Sequence, residues 1–250
     1  MKKVFLLGLV GIFIFGLVST QVFSQTVDDI LKKMIDAQGG RKKLESVKDS
    51  TTSGTLLTIQ NNMNAPITVC WKSPNKSRVD IDIKAMNVKI IQATDGNVAW
   101  MDHPQTGLAD MPEERAKGFK RRALGDGILL NPKKYGVTYT LKGKEKVKDS
   151  DCFVIERSFS DGPSSTLYVD SSTYLVIKSK SKSPGQTGQE VEVEVFYSDY
   201  KNVEGIVVPH TSKVFRDGQE SVKLSFDKIT FNSGLKDSFF VKPEAKEQKQ

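Results

Sequence analysis

Residues 189–200 read Gln-Glu-Val-Glu-Val-Glu-Val-Phe-Tyr-Ser-Asp-Tyr, so that Val191, Val193 and Val195 alternate with Glu190, Glu192 and Glu194. Successive side chains of a strand project to opposite faces, and this period of two predicts a strand with one dry and one wet side. The same alternation recurs elsewhere. Val222, Leu224 and Phe226 oppose Lys223, Ser225 and Asp227; Val79, Ile81 and Ile83 oppose Arg78, Asp80, Asp82 and Lys84; Ile67, Val69 and Trp71 oppose Thr68, Cys70 and Lys72. Working outward, strand-like segments lie near 51–60, 65–72, 77–84, 87–94, 97–102, 135–141, 152–159, 165–169, 174–180, 189–200, 206–215 and 220–231. Asp95-Gly96, Asp161-Gly162 and Asp217-Gly218 supply turn signals between them. The pattern predicts a mainly β chain, an antiparallel meander of about 11–12 strands with a single apolar face that has to be covered.

Two stretches leave this period. Val27, Ile30, Leu31, Met34 and Ile35 repeat at three and four, after Thr26 as N-cap and before Gly39-Gly40, which predicts an amphipathic N-terminal helix followed by a short turn through Leu44 and Val47. Between Pro112 and Asn131 the β pattern lapses, and Phe119, Ala123 and Leu124 fall on one side of an interrupted helical insertion. These helices are the only helical material available to fill or lid a strongly curved sheet. Residues 181–188 read as a long loop and 242–250 as a polar tail.

Composition sets the broad class. With 250 residues, 38% hydrophobic and 27% charged, the chain suits one soluble domain and not a polytopic membrane protein. Lys2 and Lys3 precede an apolar run over 4–18, and Val22-Phe23-Ser24 resembles a cleavage site, so residues 1–24 are expected to be a secretory signal peptide and 25–250 a single exported domain. The run is shorter than the roughly 20 residues that cross a bilayer. No cysteine follows it as a lipidation site, which leads us to expect a freely diffusing periplasmic protein. The net charge of +7 comes from lysines that alternate with acidic residues, which reads as a solvated face and not a nucleic-acid surface. Cys70 and Cys152 fall in distant strands; export would permit a bond, but two small buried thiols fit their surroundings better.

Catalytic signatures are missing: no nucleophile elbow, phosphate-binding loop, dinucleotide fingerprint or HExxH pair occurs. His103 and His210 each adjoin a proline, and with Asp102 and Asp110 they lack metal-ligand spacing. The carboxylates of Glu190, Glu192 and Glu194 stand roughly 6.5–7 Å apart at the usual strand rise. That spacing touches the glycosidase range, yet valines on the opposite side make them a solubilising exterior. Arg115, Lys117, Lys120, Arg121 and Arg122 read as a solvated basic helix face. No catalytic residue, metal or cofactor is assigned. What remains is binding, with an apolar concavity walled by Val69, Trp71, Val79, Ile81, Ile83, Trp100, Val193, Val195, Leu224 and Phe226 and covered by Phe119, Leu124 and Ile128. At about 0.8 kcal/mol per buried methylene, a C16 chain would gain roughly 12 kcal/mol at most in such a site.

Trp71-Lys72-Ser73-Pro74-Asn75-Lys76-Ser77-Arg78 and Thr94-Asp95-Gly96-Asn97-Val98-Ala99-Trp100 resemble the paired W-x-x-P-N and S/T-D-G-x-x-x-W signatures of the periplasmic lipoprotein carriers, the LolA and LolB-like superfamily. Leu167-Tyr168-Val169-Asp170, Tyr197-Ser198-Asp199-Tyr200, Gly205-Ile206-Val207-Val208-Pro209, Phe239-Phe240-Val241-Lys242-Pro243 and the helix end Ala37-Gln38-Gly39-Gly40 extend the likeness along the chain. The resemblance implies an incomplete, half-open antiparallel barrel with a helical lid that shields acyl chains of lipoproteins or other lipids, without covalent chemistry. It further implies an inner-membrane donor, an outer-membrane acceptor, peripheral membrane contact at most, and a monomer. The alternative within the same fold is an envelope sensor or structural domain that binds a protein. The sequence departs from the family at Ser73, where the carriers place a lid-locking arginine; Lys72 and Arg78 are the nearby cations available to replace it.

Overall fold

The computed structural model describes residues 25–185 and 189–244, so the expected signal peptide and the end of the polar tail lie outside the described residues. Two helices come first, α1 (Val27–Ala37) and α2 (Arg41–Ser46). Six strands follow: β1 (Asp49–Thr58), β2 (Met63–Lys72), β3 (Lys76–Ile83), β4 (Val88–Thr94), β5 (Ala99–His103) and β6 (Gly107–Asp110). The insertion forms α3 (Glu113–Ala123), α4 (Gly127–Leu130) and a 3-10 turn, Pro132–Tyr135. Seven further strands follow: β7 (Val137–Val147), β8 (Ser150–Phe159), β9 (Ser165–Asp170), β10 (Val176–Pro184), β11 (Glu190–Val203), β12 (Ile206–Arg216) and β13 (Gln219–Phe231).

All thirteen strands belong to one sheet in the order β6-β5-β4-β3-β2-β1-β13-β12-β11-β10-β9-β8-β7. Every pairing is antiparallel, and the long-range one joins β1 to β13 with Leu56 opposite Leu224. The sheet does not close. Its free edges, β6 and β7, are consecutive in sequence, and the α3–α4 insertion runs from one edge to the other. The half-open architecture therefore agrees with the sequence reading, with one strand more than expected. That strand is β6, four residues of Gly-Leu-Ala-Asp that carry no β-branched signal.

Three local readings differ from the structure. Residues 44–47 do not form a turn, because Leu44 is buried inside the six-residue α2. The expected loop at 181–188 is strand as far as Pro184, since β10 pairs with β11 from Lys178 to Pro184. Ion pairs Lys178–Glu194 (2.5 Å), Lys180–Glu192 (2.7 Å) and Lys182–Glu190 (2.9 Å) ladder across that pairing and place the three glutamates on the outer face. Strand β7 also runs past 141 to Val147, through a bulge at Gly143.

Helix α1 forms as its sequence dictates. Thr26 and Asp29 make a reciprocal capping box, and Ile30, Leu31, Met34 and Ile35 are the buried stripe. Ile30, Leu31 and Met34 pack with Ile128 against Val137, Tyr139, Phe153, Ile155, Leu167 and Val169 of β7–β9, while Ile35 packs with Leu44, Leu130 and Ile206. Gly39 (φ +120°) ends the helix where a Cβ would sit 2.3 Å from the Gly205 carbonyl oxygen, so no other residue lets the helix end approach β12 this closely. At the other end of the sheet, Phe119 of α3 packs on Ala99 and Met111 with Val79 and Met101 beside them. The concave face is thus covered from both flanks.

The convex face has its own cover, the chain after β13. The Asp49 carboxylate, 4% exposed, accepts from the Ser233, Gly234 and Leu235 amides and the Ser233 hydroxyl. From there the segment crosses β2 to β6: Lys72 Nζ donates to the Leu235 carbonyl (2.6 Å), Arg78 to that of Phe239 (3.1 Å), Trp100 Nε1 to that of Phe240 (2.9 Å), and Lys242 pairs with Asp110 (2.8 Å). Cutting the first anchor should free this strap. Asp49→Ala removes the acceptor of four hydrogen bonds at the edge of the strap and is expected to cost about 1–2 kcal/mol in urea unfolding, with proteolysis after residue 232 becoming faster.

Candidate functional site

The register decides which side chains can meet inside the curve. Ser50, Thr52, Gly54 and Leu56 of β1 face Trp71, Val69, Ile67 and Ala65 of β2 on one side and Phe231, Ile229, Phe226 and Leu224 of β13 on the other. Where α2, the α3–α4 junction and the 3-10 turn Pro132–Tyr135 stand over these strands, a cavity of about 580 Å³ remains. Val47, Val69, Trp71, Leu124, Leu130, Tyr135, Ile206, Val208, Phe226, Ile229 and Phe231 give it apolar walls, while Glu45, Lys48, Asp126 and Lys134 bring charge to it.

Trp71 connects wall to lid. Its indole Nε1 donates to the Ala123 carbonyl at 2.7 Å, satisfying one of the orphan acceptors at the C-terminus of α3. The following Gly125 (φ +52°) lies against the same ring; a Cβ there would sit 3.1 Å from Nε1 in a left-handed backbone that disfavours other residues. Ser73 lines the cavity too, yet its amide donates to the Lys48 carbonyl (2.8 Å), and among the described residues no hydrogen bond joins it to the lid. Lys72 and Arg78 do not replace the missing arginine, for they extend from the convex face to the C-terminal strap. The period-two rule explains why: they alternate with Trp71 and Val79, so they cannot share their side of the sheet.

The expected wall divides three ways. Val69, Trp71 and Phe226 line the cavity, as does Leu124 from the lid. Val79 sits beneath Phe119 at the α3 flank, and Ile128 is locked into the α1 cluster, where both lid residues serve as core. Ile81 lines a second, smaller cleft of about 380 Å³ with Ile90, Met101, His103 and Arg115. Ile83, Val193, Val195 and Leu224 share the concave face by register but border neither cleft. Trp100 is the correction. It pairs with Ala93 and Asp110 on the convex side and is 1% exposed beneath Phe240, so it stands outside the cavity.

Sequence reasoning missed the contributions of Leu130, Tyr135, Val208, Ile229 and Phe231, which no short motif marks. It also missed Asp126, which lines the cavity from the α3–α4 junction while remaining open to solvent. The remaining candidates are engaged elsewhere. His103 Nδ1 accepts from the Gln105 amide, His210 Nδ1 lies 3.2 Å from the Val208 carbonyl, and no group of His, Cys, Asp and Glu among the described residues could hold a metal. Cys70 and Cys152 are free and buried.

The tether between wall and lid is testable. Trp71→Phe keeps the ring and deletes the donor; amides from 124 to 130 should exchange faster, by about 1–2 kcal/mol of lost protection, while the rest of the sheet is unchanged.

No protein-family model and no curated relative matches the sequence. Solved structures do. A LolA superfamily protein from Nitrosomonas europaea matches at 18% identity over 88% of this chain and 99% of its own, with a TM-score of 0.61. A DUF1329 family protein from Desulfovibrio piger matches at 15% identity over 87% of this chain and 98% of its own, also with a TM-score of 0.61. At these identities the likeness is one of fold: the chain has the LolA-like fold, here an unclosed antiparallel sheet covered by helices.

Proposed function

We propose that the protein is a non-enzymatic carrier that shields the acyl chains of lipoproteins or other lipids in the cavity between the lid and strands β1, β2, β12 and β13. The single observation that carries the reading is that cavity. Its 580 Å³ falls in the range of small-molecule sites and its walls are mainly aliphatic and aromatic side chains. A core built only for stability would fill such a space, since unfilled volume between side chains forfeits dispersion contacts. The lid is hinged in a way that suits entry, tethered to β2 through the Trp71–Ala123 hydrogen bond and to β7 through the short turn at 132–135.

Export to the periplasm fits this role, with an inner-membrane donor and an outer-membrane acceptor and only peripheral contact with either membrane. No helix among the described residues is long and apolar enough to cross a membrane. Hand-over would differ from a lid locked by arginine, because the contact between lid and sheet is here a neutral indole donor to a carbonyl, a weaker bond than a guanidinium makes.

The chain has two tryptophans, and they divide between the faces: Trp71 in the cavity, Trp100 under the strap. A brominated C16 fatty acyl chain quenches a tryptophan only at contact. Titration should quench about half of the emission saturably, Trp71→Phe should abolish the quenching, and Trp100→Phe should leave only the quenchable component. Absence of saturable quenching, or quenching confined to Trp100, refutes the carrier reading.

A further inference from the structure

Five cations of α3 read in the sequence as one solvated basic face, and the structure separates them. Lys117 pairs with Glu113 at 2.9 Å and Glu114 at 3.1 Å, Lys120 Nζ donates to the Asn97 carbonyl at 3.4 Å, and the Arg121 guanidinium donates to the Asp161 carbonyl at 2.9 Å. Arg115 and Arg122 make no hydrogen bond and no ion pair among the described residues. They stand four residues before and three after Phe119, which α3 buries on Ala99 and Met111, so both belong to the helix face turned toward the sheet. Arg115 borders the second cleft, the one of about 380 Å³. Ile81, Ile90 and Met101 line it with hydrocarbon, Gln92 and His103 add polar groups, and no acidic residue lines it. The alternation of the strands explains that lack. Asp80, Asp82, Asp102 and Asp110 fall on the convex side, where Asp80 meets Arg78 and Lys89, and Asp110 meets Lys242. His103 Nδ1 accepts from the Gln105 amide at 3.2 Å, so the neutral ring carries its proton on Nε2 and keeps a donor free.

We propose that this cleft is a binding site of its own, for a short single-chain amphiphile that ends in a carboxylate: hydrocarbon against Ile81, Ile90 and Met101, and the carboxylate on Arg115, with His103 and Gln92 as neutral donors beside it. A guanidinium offers two parallel N–H groups that match a carboxylate, and one such cation balances a monoanion but not a dianionic phosphate. An amine would meet a like charge and no acid to answer it. Arg115 is open to solvent, so the charged end sits at the mouth of the cleft, and the hydrocarbon is the part that leaves water. The two clefts share no lining residue. This site therefore goes beyond the carrier reading and stands whether or not the larger cavity holds an acyl chain.

The test uses octanoate, octanol and octylamine, each below its aggregation threshold at pH 7 and constant ionic strength, followed by NMR through the Met101 methyl group in protein with isotope-labelled methionine. Octanoate should shift that resonance saturably and bind at least about fivefold more tightly than octylamine, with octanol between them. Arg115→Gln should bring octanoate down to the level of octanol while the other methionine methyl resonances stay in place, which certifies the fold of the variant. Lys117→Gln removes the same charge from the solvated side of α3 and should leave the octanoate preference intact. Attraction by the net charge of +7 would instead weaken octanoate alike in both variants. Arg115→Lys, which keeps the charge and loses the fork, serves as a second variant should the glutamine form be poorly folded, and should bind octanoate more weakly than the unaltered protein. Equal binding of octanoate and octylamine, octanoate affinity unchanged by substitution of Arg115, or an equal loss in Lys117→Gln overturns the assignment. Absence of a saturable octanoate shift at Met101 overturns it too, and leaves the carrier reading standing, since that is read at Trp71 in the other cavity.

Discussion

The pairing of β1 with β13 is the constraint on which the rest depends. It joins the two ends of the strand-bearing chain, so the free edges of the sheet are not the chain's first and last strands but β6 and β7, which are neighbours in sequence. The peptide between them has to bridge the open seam. A lid is therefore a consequence of connectivity: α3 and α4 lie over the concave face because they start at one edge and end at the other. The long-range pairing also costs the most loop-closure entropy, and side chains opposite each other across it, Leu56 with Leu224 and Thr52 with Ile229, contribute apolar area that offsets that cost.

Cover on the two faces is of different kinds. On the convex side the strap is polar and specific, held by Asp49, Lys72, Arg78 and Trp100, each of which meets a backbone group of residues 233–240. A surface fastened in that way is closed to ligands. On the concave side α1 and α3 press down at the flanks and leave the middle strands, β1, β2, β12 and β13, beneath a lid that meets them in few places. Flanking cores stiffen the frame, and the space between them stays available. Trp71 and Trp100, only 29 positions apart in paired signatures, end on opposite sides of this division, each donating its indole N–H to a carbonyl of the element that covers its face.

The resemblance read from short motifs acquires a physical basis here. Trp71 latches the lid, Gly96 packs where a Cβ would strike Asn75, and the Phe239-Phe240 pair receives Arg78 and Trp100. These residues occupy contacts between elements distant in sequence, which is why they stand out as motifs while the aliphatic walls do not. Leu130, Val208 and Phe231 line the cavity by virtue of register and lid placement, and any apolar residue of similar size would read the same way in the sequence.

Periodicity by itself determined the mainly β class, the antiparallel meander, the capped N-terminal helix and the helical insertion, because each is set by local propensity and by which side of a strand or helix a residue occupies. It also determined that Glu190, Glu192 and Glu194 share one face and Val191, Val193 and Val195 the other. Which of the two faces is concave, and what covers each, was decided only by the tertiary structure. Alternation assigns side chains to two sides without saying which curves inward, so Trp100 could be taken for wall when a strap 140 residues later in the chain buries it on the outside. The same holds for Asp126, which no motif marks and which lines the cavity only because distant strands close beneath the lid.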